Sequence, residues 1–477
     1  MQISKYFRPE TLMFVAFLAT LPIYAPSHLL FATDSLSIES YMAPLSNAML
    51  GATVVLGAIA ALWSARRGDG LLTTPAMVRT ASGAYVLGYG LLIGAVAWEG
   101  LAHPGLAVAV GLMLAFATVV LAVAWGAYLS QFNLKQALLW VSVMVALASL
   151  VQLLLSAVAF AIGCIVFGTL VVLACALPCW LSARSALSSD NHDEGAVRHE
   201  VEGALGHKLR SLASVVAMPF VGLMVFAFIM GARKFILFDM VHMEVLGCAL
   251  GAAVVLPICF IRSSQPLMPL IYRLLVPLFC LVLIVLNAFP GGTAPMWLAG
   301  WLSYVFYGAV AILALASLCA AAHASEFNPG LIYGCTVAGF ALCSLLGVGF
   351  SHIALFETEG GGPALLVVST LYFAYLLASA LFSPFRPAKD EALLGELPVV
   401  PEATGPDVAA RCETLADECG LTPREREIFG YLGRGHGIAF VADTLVISES
   451  TVRTHVKSIY KKLGVGSREE LLEKVDA

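Results

Sequence analysis

Near the carboxyl terminus the residues Arg453, Thr454, Lys457 and Lys461 recur at helical spacing. At about 100° per residue, with Val452 at zero, they fall near about 100°, 200°, 140° and 180° on the helical wheel. On the same wheel Val452, Val456, Ile459 and Leu463 lie within about 60° of arc, a narrow apolar stripe that a helix buries. The face left for presentation is cationic. Ser448 to Lys462 carries four cations against Glu449 alone, whereas residues 421–477 are nearly balanced, at nine basic to eight acidic. Cations gathered on one helix of an otherwise neutral domain are what contact with phosphates and entry into the major groove of duplex DNA require.

Such a helix must be held by others, and the flanking residues supply their punctuation. Leu421-Thr422-Pro423-Arg424-Glu425-Arg426-Glu427 reads as a helix start, with Thr422 as N-cap, Pro423 in the first position and Glu425 in the first turn. Ile428 and Leu432 continue it, and Gly433 and Gly435 end it. A second short helix is predicted over Ile438 to Leu445, and a tight turn through Val446-Ile447-Ser448 leads into the basic helix, Ser448 to Leu463, closed by Gly464. A last helix is predicted over Arg468 to Val475.

Those residues, with the run Ile447-Ser448-Glu449-Ser450-Thr451-Val452-Arg453-Thr454-His455-Val456-Lys457 at their centre, resemble the LuxR-type (GerE or FixJ) helix-turn-helix domain over about 55 positions. The resemblance implies that the third helix is the reader, with Arg453, Thr454 and Lys457 facing base edges and Ser450, Thr451 and Lys461 near phosphates. It also implies double-stranded DNA as partner, and a homodimer on that DNA whose contact involves Glu470, Leu471 and Val475 of the fourth helix. One stretch departs from the pattern. Gly437-Ile438-Ala439-Phe440-Val441-Ala442 is more apolar than such domains usually are there, so Phe440 either packs within the domain or meets a partner. Nothing resembling a soluble phospho-receiver precedes this segment.

The rest of the chain lives in a different solvent. Of 477 residues, 60% are hydrophobic and only 12% charged, with a mean hydropathy of +0.89, too little charge to cover a water-facing surface. Disorder, collagen-like repeats and a disulfide-stapled secreted scaffold are excluded by the same numbers. Residues 390–477 hold 16 of the 31 Asp and Glu and 10 of the 26 Lys and Arg, which sets the tail apart as water-soluble. A span needs about 20 mostly apolar residues. Twelve are predicted, at 11–31, 41–63, 79–98, 104–129, 136–156, 158–181, 212–232, 241–261, 267–289, 295–320, 330–351 and 363–383, with the boundary near Ser156 barely marked. The first is read as a retained membrane helix, because the run Thr11 to Phe31 is too long for a signal-peptide core.

Lys and Arg accumulate on the cytoplasmic side of a membrane. With the amino terminus inside, the inner segments hold fourteen Lys and Arg and the outer loops only Arg233 and Lys234. An even number of spans with both termini cytoplasmic satisfies both the charge and the length. The expected organisation is therefore an all-α chain: a multi-pass membrane domain over 1–383 in the cell's inner membrane, a Pro-rich linker over 384–406, and the helix-turn-helix domain over 407–477. A polar connection, 182–211, divides the spans six and six. That count and spacing resemble the major facilitator superfamily, although Ser64-Ala65-Arg66-Arg67-Gly68-Asp69-Gly70 does not reproduce the order of its Gly-x3-Asp-Arg-x-Gly signature. A sensor that kept the architecture and lost the transport motif would carry such a loop.

Polar residues within spans are costly in lipid and mark candidate sites. Gln152, Asn287, Arg273 and Asn47 are few, and helix-to-helix hydrogen bonding accounts for them; Gly247-Cys248-Ala249-Leu250-Gly251 supplies a small-x3-small packing face. Arg233, Lys234, Asp239, His242 and Glu244 form a charge cluster on the side otherwise without cations, either a solvated loop or an anion or ligand contact. Nine of the 11 cysteines lie in apolar stretches, where a thiol is a small hydrophobe. Cys412 and Cys419 match no metal-ligand spacing. No cofactor, metal or catalytic residue is expected, since neither a phosphate loop, a nucleophile elbow nor a His-Glu-x2-His pair occurs. The sequence thus points to a membrane-anchored DNA-binding transcription regulator responding to a small-molecule effector or membrane state, the alternative being a secondary transporter with a regulatory DNA-binding tail.

Overall fold

The computed structural model describes residues 9–21, 36–98, 103–189, 220–228, 231, 241–260, 281–282, 285–286, 289, 293–323, 327–351, 406–445, 447 and 449–476. Every regular element among them is a helix. The chain divides into two compact units, of which the first contains the apolar helices and the second the tail.

Among the described residues the longer helices of the first unit are α1 (Pro9–Thr20), α2 (Leu36–Arg67), α3 (Pro75–Ala97), α4 (Pro104–Leu129), α5 (Leu134–Ala157), α6 (Phe160–Ser189), α7 (Val241–Val255), α8 (Ala294–His323) and α9 (Pro329–Ser351). Seven segments among the described residues are long and apolar enough to cross a membrane: Tyr41–Arg67, Pro75–Ala97, Pro104–Leu129, Leu134–Ala157, Phe160–Arg184, Tyr304–His323 and Pro329–Phe350. The prolines that read as breaks are helix starts: Pro75 and Pro104 occupy the first turn, where the missing N–H costs nothing. The faint boundary near Ser156 resolves at Val158, whose extended backbone closes α5.

Two expectations shift. The sixth span continues to Ser189, so the connection placed at 182–211 is helical over its first eight residues. Ala183, Arg184, Ala186 and Leu187 are good helix formers without Gly or Pro among them, and leaving an apolar solvent does not end a helix. Pro406, assigned to the linker, instead opens a helix. The spans expected at 267–289 and 363–383, the linker before Pro406, and the residues Asn287 and Arg273 lie largely or wholly outside the described residues. So do Arg233, Lys234 and Asp239 of the charge cluster; for His242 and Glu244 only the backbone, on α7, is described.

α2 packs along α4 and α9, α3 along α4 and α6, α1 on α5 and α6, and α7 on α5 and α8. The crossing of α7 with α8 is made by the small-residue face. A Cβ on Gly251 would stand 2.7 Å from the Val305 carbonyl, and one on Gly308 would stand 2.7 Å from Cys248 Cα. The two backbones touch there. Gln152, half-buried, donates from Nε2 to the Ala19 carbonyl at 3.1 Å, tying α5 to α1, which is the packing role expected of it. Asn47 is exposed on α2.

Asp69, given no role by the sequence, is buried in the turn between α2 and α3. Its carboxylate accepts the Ser64 hydroxyl and, at 3.1 Å, the Gly330 N–H in the first turn of α9, while Asn328 Nδ2 donates to the Ser64 carbonyl at 3.2 Å. An anion at a helix N-terminus both satisfies an orphan N–H and complements the helix dipole. The turn after α2 is thereby fixed to a helix some 260 residues later in the chain.

The second unit has five described helices: α10 (Pro406–Glu418), α11 (Pro423–Leu432), α12 (Ile438–Leu445), α13 (Glu449–Leu463) and α14 (Arg468–Asp476). Ile428, Phe429, Val441, Val452, Ile459 and Leu471 are essentially inaccessible and form its core. α11 packs on α10, α12 and α13, and α10 also packs on α14. α10 was not expected from the sequence, although Val408, Cys412, Leu415 and Ala416 stand at helical spacing and Cys412, Leu415 and Ala416 are buried.

Candidate nucleic-acid interface

α13 is amphipathic in space as on the wheel. Val452, Val456, Ile459 and Leu463 are buried, while Thr454, Lys457 and Lys461 are exposed and Thr451 and Arg453 are half-buried at the edge of the stripe. Ser450 belongs to the first turn of α13, and its side chain lies outside the described residues. Gly464 ends the helix with φ 68°, a left-handed conformation that residues with a Cβ adopt at a cost. The Lys474 ammonium donates to the Leu463 carbonyl at 2.6 Å, satisfying one of the orphan acceptors of that terminus.

The four cations of this helix are not equivalent. Arg453 Nη2 meets Glu449 Oε2 one turn earlier at 3.2 Å, a partly exposed ion pair of little intrinsic strength. Lys457 and Lys461 have no ion pair among the described residues. Lys462 points the other way, donating to Glu425 Oε2 at 2.6 Å and to the Gly420 carbonyl at 3.3 Å. The outer face therefore carries three of them, Arg453, Lys457 and Lys461. The inward position of Lys462 follows from its place near about 280° on the wheel, beside the buried stripe rather than opposite it.

Glu425 is the hub of this domain. Its carboxylate accepts the Thr422 N–H at 2.8 Å and its own N–H donates to Thr422 Oγ1 at 3.3 Å, a complete capping box on α11. The same carboxylate takes Lys462 and the Ser458 hydroxyl, both at 2.6 Å, from α13. Burial alone would raise its pKa, but the hydrogen bonds from Lys462, Ser458 and Thr422 outweigh burial and hold it at about 2. One ionised side chain thus starts α11 and aligns α13 against it, which fixes the direction in which Thr454, Lys457 and Lys461 point.

The remaining supports are local. Arg468, at the start of α14, donates to the Gly435 carbonyl in the turn between α11 and α12. Phe440 is half-buried and stacks on His436 with ring centroids 3.9 Å apart, tilted against Tyr431 at 6.2 Å. It packs within the domain. Leu471 and Val475, expected from the resemblance to meet a second copy, are 1% and 3% exposed and belong to the core instead. A nine-residue helix of mixed character has one apolar face, and here the domain itself consumes it. Glu470 is exposed and accepts the Gly466 N–H at 2.7 Å.

Residues 420–475 match the family described as bacterial regulatory proteins, luxR family. This segment is a luxR-family domain. The nitrate/nitrite response regulator protein NarL of Escherichia coli K12 is 39% identical over 101 residues, covering 20% of this chain and 46% of that protein. The probable transcriptional regulatory protein NarL of Mycobacterium tuberculosis H37Rv is 44% identical over 48 residues, covering 10% of this chain and 22% of its own. The chain thus spans less than half the length of these curated relatives. Among solved structures, the Escherichia coli fucose:proton symporter FucP aligns over 80% of this chain and 99% of its own, at 12% identity and a TM-score of 0.48. The human organic anion transporter MFSD10 aligns over 77% and 96%, at 16% identity and a TM-score of 0.47.

Within the luxR domain the structure brings Arg453, Thr454, Lys457 and Lys461 to one face of α13, with Thr451 at its leading edge. What the sequence missed is Glu425 as the residue that orients this face. The capping-box spacing of Thr422 and Glu425 was the available signal; the contacts to Ser458 and Lys462, 33 and 37 residues away, were not visible in it.

Proposed function

We propose that this protein is a membrane-anchored transcription regulator whose luxR domain binds double-stranded DNA through α13 and whose apolar helices sense a small molecule or a membrane state. The observation that carries this reading is the exposed face of Thr454, Lys457 and Lys461, joined by Arg453, on a domain of a regulator family in the same chain as helices able to cross a membrane. Arg453, Thr454 and Lys457 read base edges, while Thr451, Lys461 and Ser450 contact phosphates. Both termini are cytoplasmic, at the inner membrane, where the charge asymmetry of the loops puts the tail on the side of the chromosome. A single domain contacts one half-site, so two copies occupy a full operator as a homodimer. Confinement to the bilayer raises the effective concentration of neighbouring tails. An effector acts by favouring one pairing of the membrane domains, which requires that its affinity differ between the two states.

The test is the salt dependence of duplex DNA binding by the full chain in lipid nanodiscs. Each lost phosphate contact lowers the slope of log affinity against log salt by about one. Lys461→Ala should weaken binding on all sequences and flatten that slope. An unchanged slope and affinity would remove α13 from the DNA.

A further inference from the structure

Within the membrane unit, α1, α4 and α5 on one side and α7, α8 and α9 on the other line a partly open cavity of about 150 Å³. Phe14, Phe17 and Trp125 form one wall, with Phe17 and Trp125 stacked at 5.7 Å and Phe14 and Trp125 at 5.0 Å. Tyr307, Tyr333 and Phe340 contribute to the other. Among the described residues lining it there is no Asp, Glu, Lys, Arg or His. An ionised ligand would lose water here without meeting a counter-charge, which disfavours it strongly.

The polar groups of the lining are mostly committed to the protein. The Trp125 indole N–H donates to the Ala174 carbonyl at 3.2 Å, the Tyr333 hydroxyl to Cys319 Sγ at 3.4 Å, and the Thr336 hydroxyl to the Ile332 carbonyl at 2.8 Å. The Gln152 amide is held by Ala19. Thr118 differs. It lines the cavity at 1% exposure, and its hydroxyl has no hydrogen-bond partner among the described residues, although a threonine in a helix ordinarily bonds the carbonyl one turn back. A buried hydroxyl left unpaired is costly, and an occupant carrying one polar group would relieve that cost.

We infer that this cavity binds an uncharged ring compound of one or two rings, gripped by the Phe14, Phe17 and Trp125 wall and hydrogen-bonded through one polar group to the Thr118 hydroxyl. Apolar cavities of this size take benzene-sized molecules, and a wall of three aromatic side chains favours a flat occupant by stacking. Such a ligand touches helices from both the amino-terminal and the carboxyl-terminal parts of the membrane unit, so its affinity depends on how the two sets are packed. That dependence is the property an effector must have to shift a conformational equilibrium. The inference deepens the sensing part of the proposed function and is independent of the DNA contacts.

The test uses the full chain in lipid nanodiscs and three probes of one skeleton, naphthol, naphthalene and naphthalenesulfonate. Binding is measured by equilibrium dialysis and corrected against empty nanodiscs. Saturable uptake is expected for naphthol and naphthalene and not for the sulfonate. Thr118→Val, which keeps the shape and deletes the hydroxyl, should weaken naphthol about two- to tenfold, the range one hydrogen bond represents, and leave naphthalene unchanged. Ala148→Phe, which fills the cavity, should abolish the saturable uptake of both neutral probes. Saturable binding of the sulfonate equal to that of naphthol would overturn the assignment, as would absence of saturable uptake of either neutral probe or equal weakening of both by Thr118→Val. In those cases the DNA reading stands or falls on its own salt titration.

Discussion

Replacing Glu425 by Gln separates the charge of the hub from its shape. Glutamine keeps the length and an oxygen for the Thr422 N–H, so the capping box on α11 survives, but the ionised partner of Lys462 is gone. Holding a carboxyl at about 2 instead of its ordinary 4.5 corresponds to about 3 kcal/mol of preference for the ionised form in the folded domain. Glu425 is 4% exposed in its side chain, but Lys462 is 34% exposed, so solvent screens the pair and a discounted value of about 1–2 kcal/mol is expected. Because the folded pKa lies below the unfolded one, this stability is fully present above about pH 4.5 and drains away as pH falls toward 2. The assay is urea unfolding of fragment 406–477, which contains its own core, followed by far-ultraviolet circular dichroism across pH 7 to about 2.5. Wild type should exceed Glu425→Gln by about 1–2 kcal/mol at pH 7, with the gap closing at the acid end. Glu425→Ala, which also removes the capping box, should cost about 1 kcal/mol more. A gap that is absent at neutral pH, or that does not depend on pH, would refute the role given to the ionised carboxylate.

Other expectations concern the presented face and the membrane unit. Lys457→Ala should weaken specific DNA binding by about 1–3 kcal/mol with the fold retained, whereas Val456→Asp, which buries a charge in the domain core, should unfold the tail; circular dichroism beside a mobility-shift titration distinguishes them. Glu449→Gln should tighten DNA binding modestly, because it releases Arg453 from a partly exposed ion pair and removes a negative charge beside the phosphates. Fragment 406–477 fused to an unrelated dimeric coiled coil should bind a full operator constitutively, and the bare fragment should bind it weakly; equal affinities would dispose of dimer control. A reporter that is active only outside the cytoplasm, fused after Pro387, should stay silent, and activity there would reverse the orientation.

How much of this was legible in the sequence depended on the range of the interactions. Both ends of α11 and the end of α13 are set by Thr422, Gly433 and Gly464, whose chemistry acts within one turn, and they can be read directly. The basic face of α13 followed from helical periodicity for the same reason. α10 is short, and its apolar spacing adjoins a Pro- and Gly-rich stretch whose composition resists regular structure, so its local signal is weak. The dimer contact at Leu471 and Val475 is implied only by the family resemblance, and that the domain's own core covers both side chains is a tertiary contact that no local pattern reports. Asp69 and Glu425 act across tens to hundreds of residues, and no local pattern reports such meetings. The long polar connection begins later than its polarity suggests, because polarity does not end a helix and the backbone between Leu181 and Ser189 contains no residue that would.

The central claim is that a chain with membrane-crossing helices occupies chromosomal operators through α13. It is tested most directly by mapping the genomic sites bound by the full-length protein, expressed at its natural level, beside a Lys457→Ala, Lys461→Ala double variant whose amount in the membrane fraction is shown to be equal. The account predicts discrete sites with paired half-sites about one helical turn apart, lost in the double variant. Absence of discrete sites in the wild type, or an unchanged set in the variant, would contradict it.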